Sequence, residues 1–340
     1  MRKERHARWM LLTLVLLAAA VSAVAWRERS RVQVVHARMP ENGGWSPENL
    51  IAQTGQPLRL RLTSDDVVHG FAIGQSDQPA VDIHPGETTE VTLTFDRPGK
   101  YTFYCTRWCG ANHWRMRGVI EVRGPGEEPE TPESPLYVRL GLDIDAEHHT
   151  ETLPVEKPSA SRGASLVSAY SLSTAIAPFA DQEYYLSHSP EQTWHDLRLN
   201  PALAPLSDQG VWDVVAYLWG LNATLQRREA GQSLYAANCA ACHGEGGAGD
   251  GVYADDLAIS GIQAMEAGHE PSGEHAATTP ADFTDAGHML SASPAHLQGK
   301  IIRGGMGTGM PYWGPIFTAE QTWALVAYLW NFVFEMEIQP

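Results

Sequence analysis

Apolar and polar residues alternate in several short runs of the first part of the chain. Leu58–Thr63 (LRLRLT) and Thr89–Phe95 (TEVTLTF) alternate at every second residue, as half-buried strands do. Val67–Ile73 is a mixed apolar run, and Lys100–Tyr104 and Gly118–Val122 complete the set. Pro85-Gly86 and Pro98-Gly99 punctuate these runs as turns. Short strands so spaced predict an all-β sandwich over residues 31–123. Residues 124–135 (GPGEEPETPESP) hold no large apolar side chain and predict an extended, partly stiff linker. From Leu136 onward the pattern becomes helical.

The helical part repeats itself. Leu206–Trp219 (LSDQGVWDVVAYLW) matches Phe317–Trp330 (FTAEQTWALVAYLW) at a spacing of 111 residues, from Trp212 to Trp323. Upstream, Pro178–Pro190 (PFADQEYYLSHSP) matches Asp282–Pro294 (DFTDAGHMLSASP) at a spacing of 104, from Phe179 to Phe283. Two matches in the same order predict an internal duplication, with copies at 136–224 and 225–340. A chance likeness of two amphipathic helices is the alternative. The second copy is the longer one, and its extra length coincides with a glycine–methionine loop, Arg303–Gly314 (RGGMGTGMPYWG).

Trp9–Trp26 is free of charge and follows a basic flank of Arg2, Lys3, Arg5 and Arg8. Its length predicts a membrane anchor within residues 1–30, with everything beyond it exported. An A-V-A tripeptide at Ala23–Ala25 leaves a cleaved signal as the alternative. Hydrophobic content of 43% and charged content of 19% are those of an ordinary folded protein. A formal net charge of −16 argues against nucleic acid as a partner; it favours docking of a basic protein or serves only solubility.

The cysteines fall in two close pairs, Cys105/Cys109 and Cys239/Cys242, with none left for a long-range disulfide. Cys105–Met116 (CTRWCGANHWRM) places two thiols, His113 and Met116 on one loop, and His69 lies upstream in a strand. Thiolate, imidazole and thioether form a soft donor set that favours copper. Two thiolates can bridge two copper ions, each holding one histidine and one weak axial ligand. A Cys2His2 zinc site is the rival reading, although methionine is not a usual zinc ligand. A Cys105–Cys109 disulfide is a further alternative. Trp108 and Trp114 flank the loop, either as electron couplers or as packing residues.

Cys239-Ala240-Ala241-Cys242-His243 is C-x-x-C-H, the haem c attachment pattern. Two thiols add to two vinyl groups of one haem, and the adjacent histidine ligates the iron. Met310 and Met306, both in the glycine–methionine loop, compete for the second axial position. His269, His275, His288 and His296 read as surface or packing residues, and His148 and His149 as solvated. The first copy has neither C-x-x-C-H nor the methionine loop, which predicts a haem-less fold.

Asp66–Ile73 (DVVHGFAI), His84–Glu87 (HPGE), Phe95–Tyr101 (FDRPGKY) and the cysteine loop together resemble the CuA domain of subunit II of haem–copper oxidases. The similarity is greatest to the branch with a single N-terminal anchor and covers about residues 32–123. It implies His69, Cys105, Cys109, His113 and Met116 as ligands of a dinuclear copper centre, with the backbone carbonyl of Arg107 between the cysteines. That position is often acidic or an amide in the family; since only the carbonyl ligates, arginine leaves copper binding intact. Residues 225–334 resemble cytochrome c, and Met310 before Pro311 matches the family's Met-Pro axial position.

The expected fold class is therefore multidomain. It comprises an N-terminal membrane anchor, an all-β cupredoxin sandwich and all-α cytochrome c-like domains, one haem-less and one haem-bearing. The resemblance implies a non-catalytic electron-transfer subunit with CuA and one covalent haem c. Cytochrome c or another donor would reduce it. A subunit I-like membrane protein that reduces oxygen would be its partner. Its domains would face the periplasm from a bacterial cytoplasmic membrane. The same relay would serve a nitric oxide reductase, and a free-standing carrier or redox sensor is the other alternative.

Overall fold

The computed structural model describes residues 32–110, 113–125, 133–255, 279–305 and 310–336. The chain divides into two compact units between Pro132 and Glu133, and each is taken by itself. The apolar run Trp9–Trp26 lies outside the described residues. Among those described, no helix is long and apolar enough to cross a membrane.

The first unit is a two-sheet β-sandwich. Its strands are β1 (Val32–Ala37), β2 (Trp45–Ser46), β3 (Asn49–Gln53), β4 (Leu58–Ser64), β5 (His69–Ile73), β6 (Val81–Ile83), β7 (Thr88–Leu93), β8 (Gly99–Tyr104) and β9 (Arg117–Arg123). One sheet runs β2-β1-β4-β7, the other β3-β9-β8-β5-β6. The alternation read in LRLRLT is the sheet's two-sidedness: Leu58, Leu60 and Leu62 point into the core while Arg59 and Arg61 face water. β1 and β4 pair in parallel, as do β3 and β9, so the sheets close by crossovers rather than hairpins alone. β2, β3 and β6 were not legible as separate strands, because each is too short to show a period.

Trp45 anchors the core. Its ring meets Phe71 and Phe103 edge-on, at centroid distances of 5.8 and 5.4 Å. Its indole N–H donates to the Met116 carbonyl at 3.1 Å, and the same carbonyl accepts from Cys105 N–H at 3.1 Å. The core thereby grips both ends of the loop that carries the cysteines. β5 crosses that loop at Gly70, where a Cβ would stand 2.0 Å from the Thr106 hydroxyl.

The second unit is helical. Its helices are α1 (Leu136–Arg139), α2 (Ala160–Ala169), α3 (Ser173–Ile176), α4 (Gln182–Ser187), α5 (Pro190–Leu199), α6 (Asp208–Asn222), α7 (Leu225–Asn238), α8 (Ala240–His243), α9 (Ala286–Ser291), α10 (Pro294–Arg303) and α11 (Ala319–Leu329). The duplicated stretches start their helices with matching caps. Asp181 and Asp285 cap α4 and α9, and Ser189 and Ser293 cap α5 and α10. Ser207 and Thr318 cap α6 and α11.

The same crossing occurs twice. A Cβ on Gly163 of α2 would lie 2.0 Å from the Asp213 carbonyl oxygen of α6. A Cβ on Gly231 of α7 would lie 2.0 Å from the Ala324 carbonyl oxygen of α11. Asp213 and Ala324 are equivalent positions of the repeat. The copies also pack reciprocally: α9 lies on α5 and α10 on α4. Such exchange of equivalent elements is the geometry of a two-fold interface. Trp219 and Trp330, themselves equivalent, meet edge to face at 6.1 Å.

Asp145, in the loop after α1, clamps α10 through Lys300 Nζ at 3.1 Å and through the Arg303 guanidinium. These partners, Arg303 foremost, hold its carboxyl far below the usual carboxylate range against the opposing effect of burial. A depressed carboxylate stabilises the fold above its unfolded value, and that contribution disappears as the group is protonated in acid. Asp145→Asn should therefore be less stable than the parent at neutral pH, with the gap narrowing below about pH 4. Urea midpoints measured against pH read this directly. Gly163→Ala and Gly231→Ala should each lower the stability of the helical unit by about 3 kcal/mol, seen in the far-ultraviolet melt.

Candidate metal and haem centres

Cys105 closes β8, and the loop Cys105–Met116 returns to β9 through a single 3-10 turn, His113–Arg115. Opposite it, β5 begins at His69. His69 is fully buried, and Cys105, Cys109 and Met116 are 3%, 5% and 1% exposed, so the donors are shielded from water. Among the described residues, His69, Cys105 and Cys109 are the group whose ligand atoms gather within 4.8 Å.

The sulfurs of Cys105 and Cys109 are 3.9 Å apart. A disulfide needs about 2.05 Å, so these are two free thiols facing one another. His69 Nδ1 lies 3.8 Å from Cys105 Sγ, and His113 Nδ1 lies 3.7 Å from Cys109 Sγ. Met116 Sδ is 3.7 Å from Cys109 Sγ, and the Arg107 carbonyl is 3.2 Å from Cys105 Sγ. Each of the six donors inferred from the sequence thus lies within 3.9 Å of another across the paired sulfurs. A metal bonded to thiolate at about 2.3 Å fits between sulfurs so placed. The methionine and second cysteine match copper's preference better than zinc's.

The surroundings fix these donors. Asp66 accepts a 2.7 Å hydrogen bond from His69 Nε2, which leaves Nδ1 unprotonated toward the sulfurs. Met39 N–H, Val67 N–H and Asn42 also donate to Asp66. Burial would raise the Asp66 carboxyl, but these donors, His69 first, bring it down to about 2. Burial lowers His69, and hydrogen bonds to Cys105 and Asp66 more than reverse it. The paired sulfurs share one proton. The Cys109 thiol, with His113, His69 and the Gly70 N–H, draws Cys105 down to about 3, and Cys109 rises in response. The thiolate is the form that binds metal.

The Arg107 side chain points away from the donor cluster. Its guanidinium makes a bidentate pair with Asp82 of β6, at 2.8 Å for each bond. The pair fixes the peptide whose carbonyl faces Cys105. The Trp108 ring packs against His113 at 5.0 Å, and the Arg115 guanidinium covers Trp114 at 4.7 Å. Sequence reading missed Asp66 and Asp82. Asp66 stands three residues before His69, and that spacing was its one signal.

In the helical unit, Cys239 caps α8, and Cys242 and His243 end it. Both thiols are free, and burial pushes both up, Cys239 to about 12. His243 Nδ1 donates to the Ala281 carbonyl at 3.1 Å, so Nε2 carries the lone pair. Its ring stacks on Phe283 at 4.6 Å. This arrangement fits covalent haem attachment with His243 Nε2 as an iron ligand. Met310 is half-buried, and its carbonyl accepts from Gly305 N–H at 3.2 Å. Met306, His269 and His275 lie outside the described residues.

Residues 45–123 match the family model of the cytochrome c oxidase subunit II periplasmic domain, and residues 228–332 match that of cytochrome c. The chain joins a subunit II periplasmic domain to a cytochrome c domain. Two cytochrome c oxidase subunit 2 proteins of Thermus thermophilus are 36% identical over 80 residues, or 24% of this chain. The aligned part is 58% and 47% of those proteins' own lengths. Among solved structures, the periplasmic domain of oxidase subunit II of Bradyrhizobium japonicum is 20% identical, with a TM-score of 0.23. That match covers 27% of this chain and 83% of the other. Reduced auracyanin of Roseiflexus castenholzii is also 20% identical, covering 28% and 98%, with a TM-score of 0.24.

The subunit II and cytochrome c domains imply copper and haem as their cofactors. Both are electron-transfer domains. One expectation is corrected. His148, read as solvated, is half-buried and in ring contact with His288 and His296. The segment 148–150 lies flat on α9, where Thr150 N–H bonds the Gly287 carbonyl at 3.1 Å.

Asp66→Asn in the subunit II domain should weaken copper binding by about 10- to 100-fold, because the His69 ring loses its carboxylate anchor. Competition with a chelator of known affinity measures it.

Proposed function

We propose that the chain is the electron-receiving subunit of a haem–copper terminal oxidase. The observation that carries this reading is the six-donor cluster around paired sulfurs on a subunit II domain, joined in one chain to C-x-x-C-H on a cytochrome c domain. Bound to this chain, a dinuclear CuA centre and one haem c would supply one-electron carriers. With these groups bound, the chain would take electrons from cytochrome c or another donor and pass them to a subunit I-like membrane partner that reduces oxygen.

The chain's own residues do the rest. Cys105, Cys109, His69, His113, Met116 and the Arg107 carbonyl would hold the copper centre. Burial of His69, Cys105, Cys109 and Met116 keeps water away from the sulfurs. The Asp66–His69 and Asp82–Arg107 pairs hold the donors in place, so little must rearrange when charge changes. Cys239 and Cys242 would hold the haem covalently, and His243 and Met310 would be its protein ligands. Residues 136–224 would form a haem-less copy that supports the haem-bearing one. In it, Ser171, Thr174 and Ala175 stand where Gly163–Gly231 alignment places Cys239, Cys242 and His243. Fusion of donor and acceptor replaces a diffusional encounter with a high effective concentration. The run Trp9–Trp26 would anchor the chain, leaving its domains on the periplasmic side.

Purified chain should hold two copper ions and one haem, and its copper resonance should show splitting from two equivalent nuclei. Cys109→Ser should leave splitting from one nucleus at most. Two haems per chain would overturn the haem-less assignment. Mild-detergent purification from native membranes should yield oxygen uptake with a large haem-bearing partner. Uptake of nitric oxide alone would move the chain to a nitric oxide reductase, and no partner would leave a carrier or sensor.

A further inference from the structure

The loop after α1 brings His148 between two histidines of the other helical copy. Its ring centroid lies 4.3 Å from that of His288 on α9 and 4.2 Å from that of His296 on α10. His296 is 9% exposed, and its Nε2 is buried without a hydrogen-bond partner. The Nε2 of His148 is likewise buried and unpartnered. His148 Nδ1 donates to the Ala146 carbonyl at 3.2 Å, so its unpartnered Nε2 carries a lone pair. Buried, unpaired imidazole nitrogens are costly unless something accepts them.

We propose that His148, His288 and His296 form a binding site for a transition-metal ion of the zinc class, joining the two helical copies. Imidazole suits zinc, and a trio of histidines with one open position is a familiar zinc donor set. Burial, foremost, keeps all three rings neutral and so ready to ligate. The nearest cation, Lys300, is engaged by Asp145. Asp285 is occupied capping Gly287 N–H and His288 N–H. The ring nitrogens of the three do not all lie within 4.8 Å of one another, so binding requires the rings to turn about their side-chain bonds. His148 and His288 are half-buried, which gives an ion a path from solvent.

The test uses the full chain loaded with copper and haem. Zinc sulfate is titrated in at neutral pH and followed by calorimetry, with the copper absorption watched for displacement. One further zinc per chain should bind with the copper spectrum unchanged. His148→Ala and His288→Ala should each weaken that binding by about tenfold or more, while His149→Ala leaves it intact. X-ray absorption at the zinc edge of the unaltered chain should show imidazole nitrogens and no sulfur. No stoichiometric uptake, a sulfur-ligated zinc, or equal uptake by all three variants would overturn the site and leave a packed histidine cluster.

Discussion

The distance between two sulfur atoms governs the β unit. Cys105 and Cys109 are held as free thiols 3.9 Å apart, close enough for one metal ion to contact both sulfurs. Holding thiols there requires that both loop ends be fixed, and the Met116 carbonyl does this. It accepts from Cys105 N–H across the loop and from the Trp45 indole below it. The tryptophan in turn rests on Phe71 and Phe103. Core packing and donor geometry are therefore one system.

The helical unit separates folding from cofactor chemistry. Both copies keep the glycine that lets two helices touch and the serine, threonine or aspartate caps that start the helices. One copy keeps cysteines and histidine as well; the other has serine, threonine and alanine at the equivalent places. The copy without attachment chemistry still offers its helices, α4 and α5, as the packing surface for α10 and α9.

The elements with strong local signals were legible in the sequence. LRLRLT and TEVTLTF alternate because one sheet face is buried, and the ligands could be named because copper chemistry restricts residue type and spacing. Two-residue β2 carries no period, yet its Trp45 is the pivot of the core. Asp66 and Asp82 act through partners 3 and 25 residues away, and a linear pattern does not mark such pairs. His148, read as solvated, meets His288 and His296 only because the copies fold against each other. No spacing along the chain records an interface between two repeats.

Trp219 and Trp330 are the same residue of the repeat seen twice, and they touch. In an assembly of identical chains, a residue on the symmetry axis meets its own copy, and any substitution there alters both faces at once. Fusion into one polypeptide lifts that restriction. Each face of the contact is now encoded separately, so one side can lose a feature or acquire one while its counterpart stays as it was. The histidines shared between the loop at 148 and helices α9 and α10 have no matching trio on the opposite face among the described residues. Asymmetry of that kind is open to a duplicated gene and closed to a homodimer.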